Sequence, residues 1–132
     1  MSHEKLMVPI NKGANHWVMA IINFSNKRIE YYDSLPPETN DFRTNVFRNL
    51  RSWLADESLD KMKQTFNFDG WVDYAPSNIP HQDNGYDCGV FALKFAHFAA
   101  LGVDLESHPF GQSDIDNVRS RMEYELLIGS VG

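Results

Sequence analysis

The stretch PHQDNGYDCGVFALKFA, Pro80 to Ala96, holds the only cysteine in the chain, and its reading organises everything around it. Pro80 and the pair Asn84-Gly85 break regular structure, and Cys88 closes a loop that runs from Ser77 to Tyr86. From Gly89 to Leu101 the apolar residues surround a helix rather than striping it. That pattern predicts a helix buried on nearly all sides and capped by Gly102. Cys88 then sits at the first turn of the helix, where backbone amide groups favour an anion. A cysteine nucleophile attacks as the thiolate, so it needs such a setting together with a group that takes up and returns a proton.

Working upstream, KLMVPI (Lys5 to Ile10), HWVMAIINF (His16 to Phe24) and RIEYYDS (Arg28 to Ser34) are rich in β-branched and aromatic residues and separated by turn formers, which predicts three strands. The last two form a hairpin about Ser25-Asn26. With Phe24 opposite Lys27, Val18 falls opposite Asp33 and Ile22 opposite Ile29. Side chains repeat every two residues along a strand, so His16, Val18, Ala20 and Ile22 share a face with Ile29, Tyr31 and Asp33. His16 and Asp33 become diagonal neighbours within reach of a side-chain hydrogen bond.

That pairing suggests chemistry. His16 can act as general base and then as the acid that protonates a leaving amine, while Asp33 holds the imidazole in one tautomer. Gln82 offers a side-chain amide that, with the Cys88 backbone N–H, can bind the oxyanion formed on an attacked carbonyl. The hairpin brings His16 to Asp33, but only the fold can bring them to Cys88. Taken singly, each residue has an ordinary explanation: a buried thiol, a strand-end histidine, a turn aspartate, a loop glutamine.

The remaining elements are coarser. Pro36-Pro37 stops the third strand, and Phe42, Val46, Leu50, Trp53 and Leu54 then recur at helical spacing, predicting an amphipathic helix from about Asn40 to near Ser58. WVDYAP (Trp71 to Pro76) reads as a further strand. Ser113 and Asp116 have capping-box-like spacing ahead of Ile115, Val118, Met122 and Leu126, which predicts a last helix. Trp53 and Trp71 read as packing residues, and His97 and His108 as core and loop residues.

At 132 residues, 42% hydrophobic and 23% charged, the chain suits a single core, and no repeat or linker marks a boundary. A net charge of -6 with interspersed basic residues excludes a nucleic-acid surface and suits a basic protein partner. No apolar segment is long enough to cross a bilayer, and one cysteine cannot form an internal disulfide, so a reducing compartment, nuclear or cytoplasmic, is expected. The Asn23-Phe24-Ser25 sequon is read as coincidence. His81, Asp83, Asp87 and Cys88 lie in one loop without paired ligand spacing, so neither a metal nor another cofactor is expected.

The chain resembles the SUMO or sentrin-specific proteases, cysteine proteases that act on ubiquitin-like modifiers. The resemblance rests on VPIN (Val8 to Asn11), HW (His16-Trp17), YYDSL (Tyr31 to Leu35), QDNGYDCGVF (Gln82 to Phe91) and SDIDNVRSRMEYEL (Ser113 to Leu126), in the family's order over nearly the whole chain. It implies an α+β, papain-like fold in which an antiparallel sheet packs on a central Cys-bearing helix flanked by other helices. It places His16, Asp33 and Cys88 at the triad positions and Gln82 at the oxyanion position. Trp17 matches the tryptophan over the channel that receives the modifier's C-terminal diglycine. The implied reaction is hydrolysis after the terminal Gly-Gly of SUMO or a related ubiquitin-like protein, in precursor processing and deconjugation. A NEDD8-specific protease and a module that binds a ubiquitin-like protein without cleaving it are the alternatives. Family domains begin upstream of VPIN with a helical region carrying a WLND-like motif. Residues 1–132 are therefore expected to be one N-terminally incomplete catalytic domain whose exposed apolar surface favours self-association.

Overall fold

The computed structural model of the chain describes residues 5–13, 16–35, 41–84 and 87–115. Their elements run β1 (Lys5–Lys12), β2 (His16–Asn23), β3 (Arg28–Tyr32), α1 (Asp41–Met62), β4 (Val72–Tyr74) and α2 (Cys88–Ala100), followed by a 3-10 turn at Leu105–Ser107. The strands lie side by side in chain order, with β2 and β3 in the middle. Pro9 lacks an N–H to donate, and it lies on the edge strand β1, opposite Met19.

The β2–β3 register is the expected one, with Met19 opposite Tyr32 and Ile22 opposite Ile29. Alternation then sends the two faces of β2 into separate cores. Val18 and Ala20, with Ile29 and Tyr31 of β3, pack against Val46 and Phe47 of α1. Met19 and Ile21, with Tyr32, pack against Phe91, Ala92, Phe95 and Ala99 of α2. A sheet covered on both faces explains why β2 reads as an unbroken apolar run rather than an alternating one.

Four features depart from the expectations. The first three strands are antiparallel as expected, but β4 joins β3 in parallel, with Ile29 opposite Asp73. The 22-residue α1 carries the chain back along the sheet before β4 begins, the connection that parallel neighbours require. Helix α1 also runs past Ser58 to Met62, because no glycine or proline interrupts it there. Helix α2 is covered on one side only: Leu93 is 63% exposed and His97 is exposed, since the sheet covers the Phe91–Phe95 side and nothing described covers the other. The last helix starts earlier than expected, at residues 112–115, where the Asp114 carboxylate accepts the Gly111 N–H at 2.9 Å. The predicted positions Asp116, Val118, Met122 and Leu126, the Pro36-Pro37 stop and the Gly85-Tyr86 part of the loop lie outside the described residues.

One charged group is built into the interior. The Glu30 carboxylate, almost fully buried, accepts from Asn23 Nδ2 at 3.0 Å, Arg28 Nε at 3.0 Å and the Tyr32 hydroxyl at 2.8 Å. Several donors compensate the loss of water, without which a buried carboxylate would be severely penalised. Asn23 thus ties the buried charge to the hairpin turn, whose Asn26 N–H its Oδ1 also accepts at 3.1 Å. Its near-complete burial agrees with reading the sequon as coincidence.

Burial, followed by the neighbouring carboxylates of Asp33 and Glu30, holds the Tyr31 and Tyr32 phenols well above the usual range. Burial and the hydrogen bond to Glu106 push Tyr74 up to about 12. A phenol that holds its proton more tightly when folded adds stability below its unfolded value of about 10, and that contribution is lost as pH rises through the folded value. Urea unfolding at stepped pH should therefore show stability falling above about pH 10, with a shallower fall between about pH 10 and 12 in Tyr74→Phe.

Candidate active site

At one end of the sheet, β2 begins at His16 and β3 gives way to Asp33. The His16 Nε2 lies 2.6 Å from Asp33 Oδ1, with the carboxylate largely buried and the imidazole half-buried. A carboxylate only accepts, so Nε2 carries the proton of this bond and Nδ1 is the nitrogen left to serve another group. Asp33 is itself oriented from several sides. Its Oδ1 also accepts the Leu35 N–H at 2.9 Å, its Oδ2 is met by the Tyr31 hydroxyl at 3.5 Å, and Lys12 Nζ stands 3.9 Å away. Because Tyr31 stays protonated, it remains a donor to that carboxylate.

Cys88 comes to the same place from the other side of the sheet. It is the first residue of α2, and it is 4% exposed. The N–H of Trp17, the amide immediately after His16, donates to Cys88 Sγ at 3.3 Å. Packing of α2 against the Met19–Ile21 face thus sets the thiol against the peptide that joins His16 to Trp17. The helix N-terminus presents its amide dipoles to the same sulfur. The preceding Asp87 is fully buried and makes no side-chain capping bond to the helix; its Oδ2 accepts from Asn84 Nδ2 at 2.7 Å and Gln112 Nε2 at 2.8 Å.

Gln82, also buried, is held at its backbone and at both ends of its amide. Its N–H donates to the Ser34 carbonyl at 2.9 Å, its Oε1 accepts the Ser34 hydroxyl, and its Nε2 donates to the Asn84 carbonyl at 2.7 Å. Gln112 Oε1 accepts the Asp83 N–H at 2.8 Å, so the 82–84 segment is tied to both the end of β3 and the 112–115 turn. Trp17 is 40% exposed and, with Pro9, Met19, Gly89, Val90, Ala92 and Leu93, lines an open apolar groove of about 410 Å³. Sequence reasoning singled out His16, Asp33, Cys88, Gln82 and Trp17. It missed Tyr31, Ser34 and Asn84, which contact Asp33 and Gln82 and which YYDSL and QDN carried in plain view, and Gln112, which holds Asp83 and Asp87.

The arrangement can hold an imidazole in one tautomer beside a thiol at a helix start, with a restrained amide donor in the loop leading to that thiol. Those are the parts of thiol-dependent acyl transfer. A family profile described as the Ulp1 protease family, C-terminal catalytic domain, matches residues 2–131. A Caenorhabditis elegans sentrin-specific protease is 41% identical over 92% of this chain, which covers 16% of that protein. Human sentrin-specific protease 5 is 34% identical over 92% of the chain, covering 15% of its length. Among solved structures, the C-terminal Ulp1 protease domain in complex with Smt3, the yeast ortholog of SUMO, aligns with a TM-score of 0.68 and 28% identity over 84% of this chain and 46% of that one. The SUMO protease Ulp1 with its catalytic cysteine oxidised to a sulfenic acid aligns at 0.72 and 25% identity, over 96% of this chain and 53% of that one. The chain thus spans only part of each relative, yet the profile covers nearly all of it: this chain belongs to the Ulp1 protease family, within the C-terminal catalytic domain.

Proposed function

We propose that the chain carries thiol-protease chemistry directed at SUMO, cleaving the bond after its C-terminal Gly-Gly in precursors and in conjugates. The observation that carries the proposal is the juxtaposition of the His16–Asp33 pair at 2.6 Å with the Trp17 N–H···Cys88 Sγ contact at 3.3 Å. The Smt3 complex of a solved relative, and the naming of relatives for sentrin, favour SUMO over NEDD8. The retention of a nucleophile, a base, its orienting carboxylate and an amide donor favours an enzyme over a binding module. The same reading gives the domain a papain-like architecture and a nuclear or cytoplasmic setting.

In this mechanism His16 Nδ1 takes the Cys88 proton while Asp33 fixes Nε2–H. The thiolate attacks the carbonyl of the last glycine, and the oxyanion is met by a Gln82 Nε2–H and the Cys88 backbone N–H. Collapse of the tetrahedral intermediate breaks the C–N bond, and His16 returns the proton to the departing amine, leaving a thioester. Water, deprotonated by His16, then hydrolyses the thioester to free the modifier's carboxylate and the thiol. Trp17 lies over the diglycine, since residues without side chains can pass under an aromatic ring where larger ones cannot.

Intact mass after mixing the folded chain with SUMO carrying a C-terminal electrophile tests the proposal, with matched NEDD8 and ubiquitin probes alongside. A SUMO adduct that is lost in Cys88→Ala is expected. An adduct with NEDD8 alone would reassign the modifier, and no adduct from a folded sample would contradict catalysis by this chain. In the cleavage assay, Gln82→Ala should lower kcat by about 10² with little change in KM; a loss confined to KM would place Gln82 in ground-state binding instead.

A further inference from the structure

Asp33 and Ser34 are consecutive, and each holds a different part of the site. The Asp33 carboxylate holds His16, while Ser34, 1% exposed, holds Gln82 twice, through its carbonyl and its hydroxyl. A side-chain amide can turn end for end at little intrinsic cost, exchanging oxygen for nitrogen. In the turned state Gln82 would present a carbonyl dipole where a donor is required, which repels a developing oxyanion. One contact opposes that state and a second anchors the amide. The Asn84 carbonyl accepts only and so demands nitrogen at its side, while the Ser34 hydroxyl, which can donate or accept, here donates to the oxygen and fixes the position of the other end. One Nε2 hydrogen is committed to Asn84, leaving the second to donate elsewhere.

We infer that Ser34 is a positioning residue for the reaction: its buried hydroxyl anchors the Oε1 end of the Gln82 amide, which the Asn84 carbonyl orients, so that Nε2–H is held where it meets the oxyanion. The inference rests on the role proposed above for Gln82. It adds a specific device, because a donor oriented before the reaction needs no reorganisation as charge develops. It also makes the end of β3 a common support, with one residue orienting the base and the next orienting the oxyanion donor.

A double-mutant cycle on the cleavage reaction, paired with NMR of the Gln82 side-chain amide, tests this. Ser34→Ala should lower kcat about tenfold with KM nearly unchanged. In the Gln82→Ala background the same substitution should change kcat by less than about twofold, because the group it positions is gone. Equal losses in both backgrounds, or no loss in Ser34→Ala, would overturn the inference. Thermal melting of each variant separates positioning from unfolding. If Ser34→Ala does not fold, Ser34→Cys, which keeps the volume but weakens the donor, should show the same non-additivity with a smaller loss. The NMR arm does not depend on the substrate: the two Gln82 amide protons should be dispersed and slow to exchange in the wild type and should move toward free-glutamine values in the Ser34 variant. Free-like signals in the wild type would refute the clamp. Dispersed signals in a chain that cleaves nothing would refute the protease reading and leave the clamp standing.

Discussion

Antiparallel pairing of β2 with β3 underlies everything else in this fold, and a short turn sets it. Residues 24–27 reverse the chain, with Lys27 at φ 53 and the Asn26 amide bonded to Asn23, so that Ile22 meets Ile29 and Met19 meets Tyr32. A one-residue slip would exchange the faces of one strand relative to the other, sending the apolar side chains of both faces of β2 to the opposite cores. It would also part His16 from Asp33, because their neighbourhood is a consequence of the same register. Burial on both faces of the sheet therefore enforces the geometry of the His16–Asp33 pair: the contacts that stabilise the fold also specify the candidate site.

The second constraint is the docking of α2. Phe91 and Phe95 seat the helix on the Met19–Ile21 face, and that contact decides where the first residue of the helix lands. The thiol meets the Trp17 amide because β2 and α2 begin at the same edge of the molecule. Residues 82–84 and Asp87 are then held by side chains: Ser34 on Gln82, Gln112 on Asp83, and Asn84 with Gln112 on Asp87. Gln82, Asp83 and Asp87 are thus fixed by side chains that come from different elements.

How far each feature could be read from sequence follows from how local its cause is. The hairpin register was legible because turn length and the two-residue period determine it together, and the His16–Asp33 pair came with it. The helical character of 88–100 was legible in its composition. Which side of it would be covered was not, since composition cannot count the layers around a helix, and Leu93 is exposed despite its apolar neighbours. The parallel entry of β4 depends on the length and path of α1, which has no stop signal near Ser58. The Ser34–Gln82 clamp joins residues 48 positions apart and leaves no periodic trace, although the family motifs contain both residues. The meeting of Cys88 with the His16–Trp17 peptide is of the same kind: only packing reveals it.

If this packing lets His16 activate Cys88, the thiol should show it in its rate of alkylation by iodoacetamide near pH 7, followed by intact mass in the wild type and in His16→Ala. This reports on the thiol without requiring a modifier. A rate at least several-fold higher in the wild type, with both proteins folded, is the predicted result. Equal rates would show that His16 has no hold on the thiol.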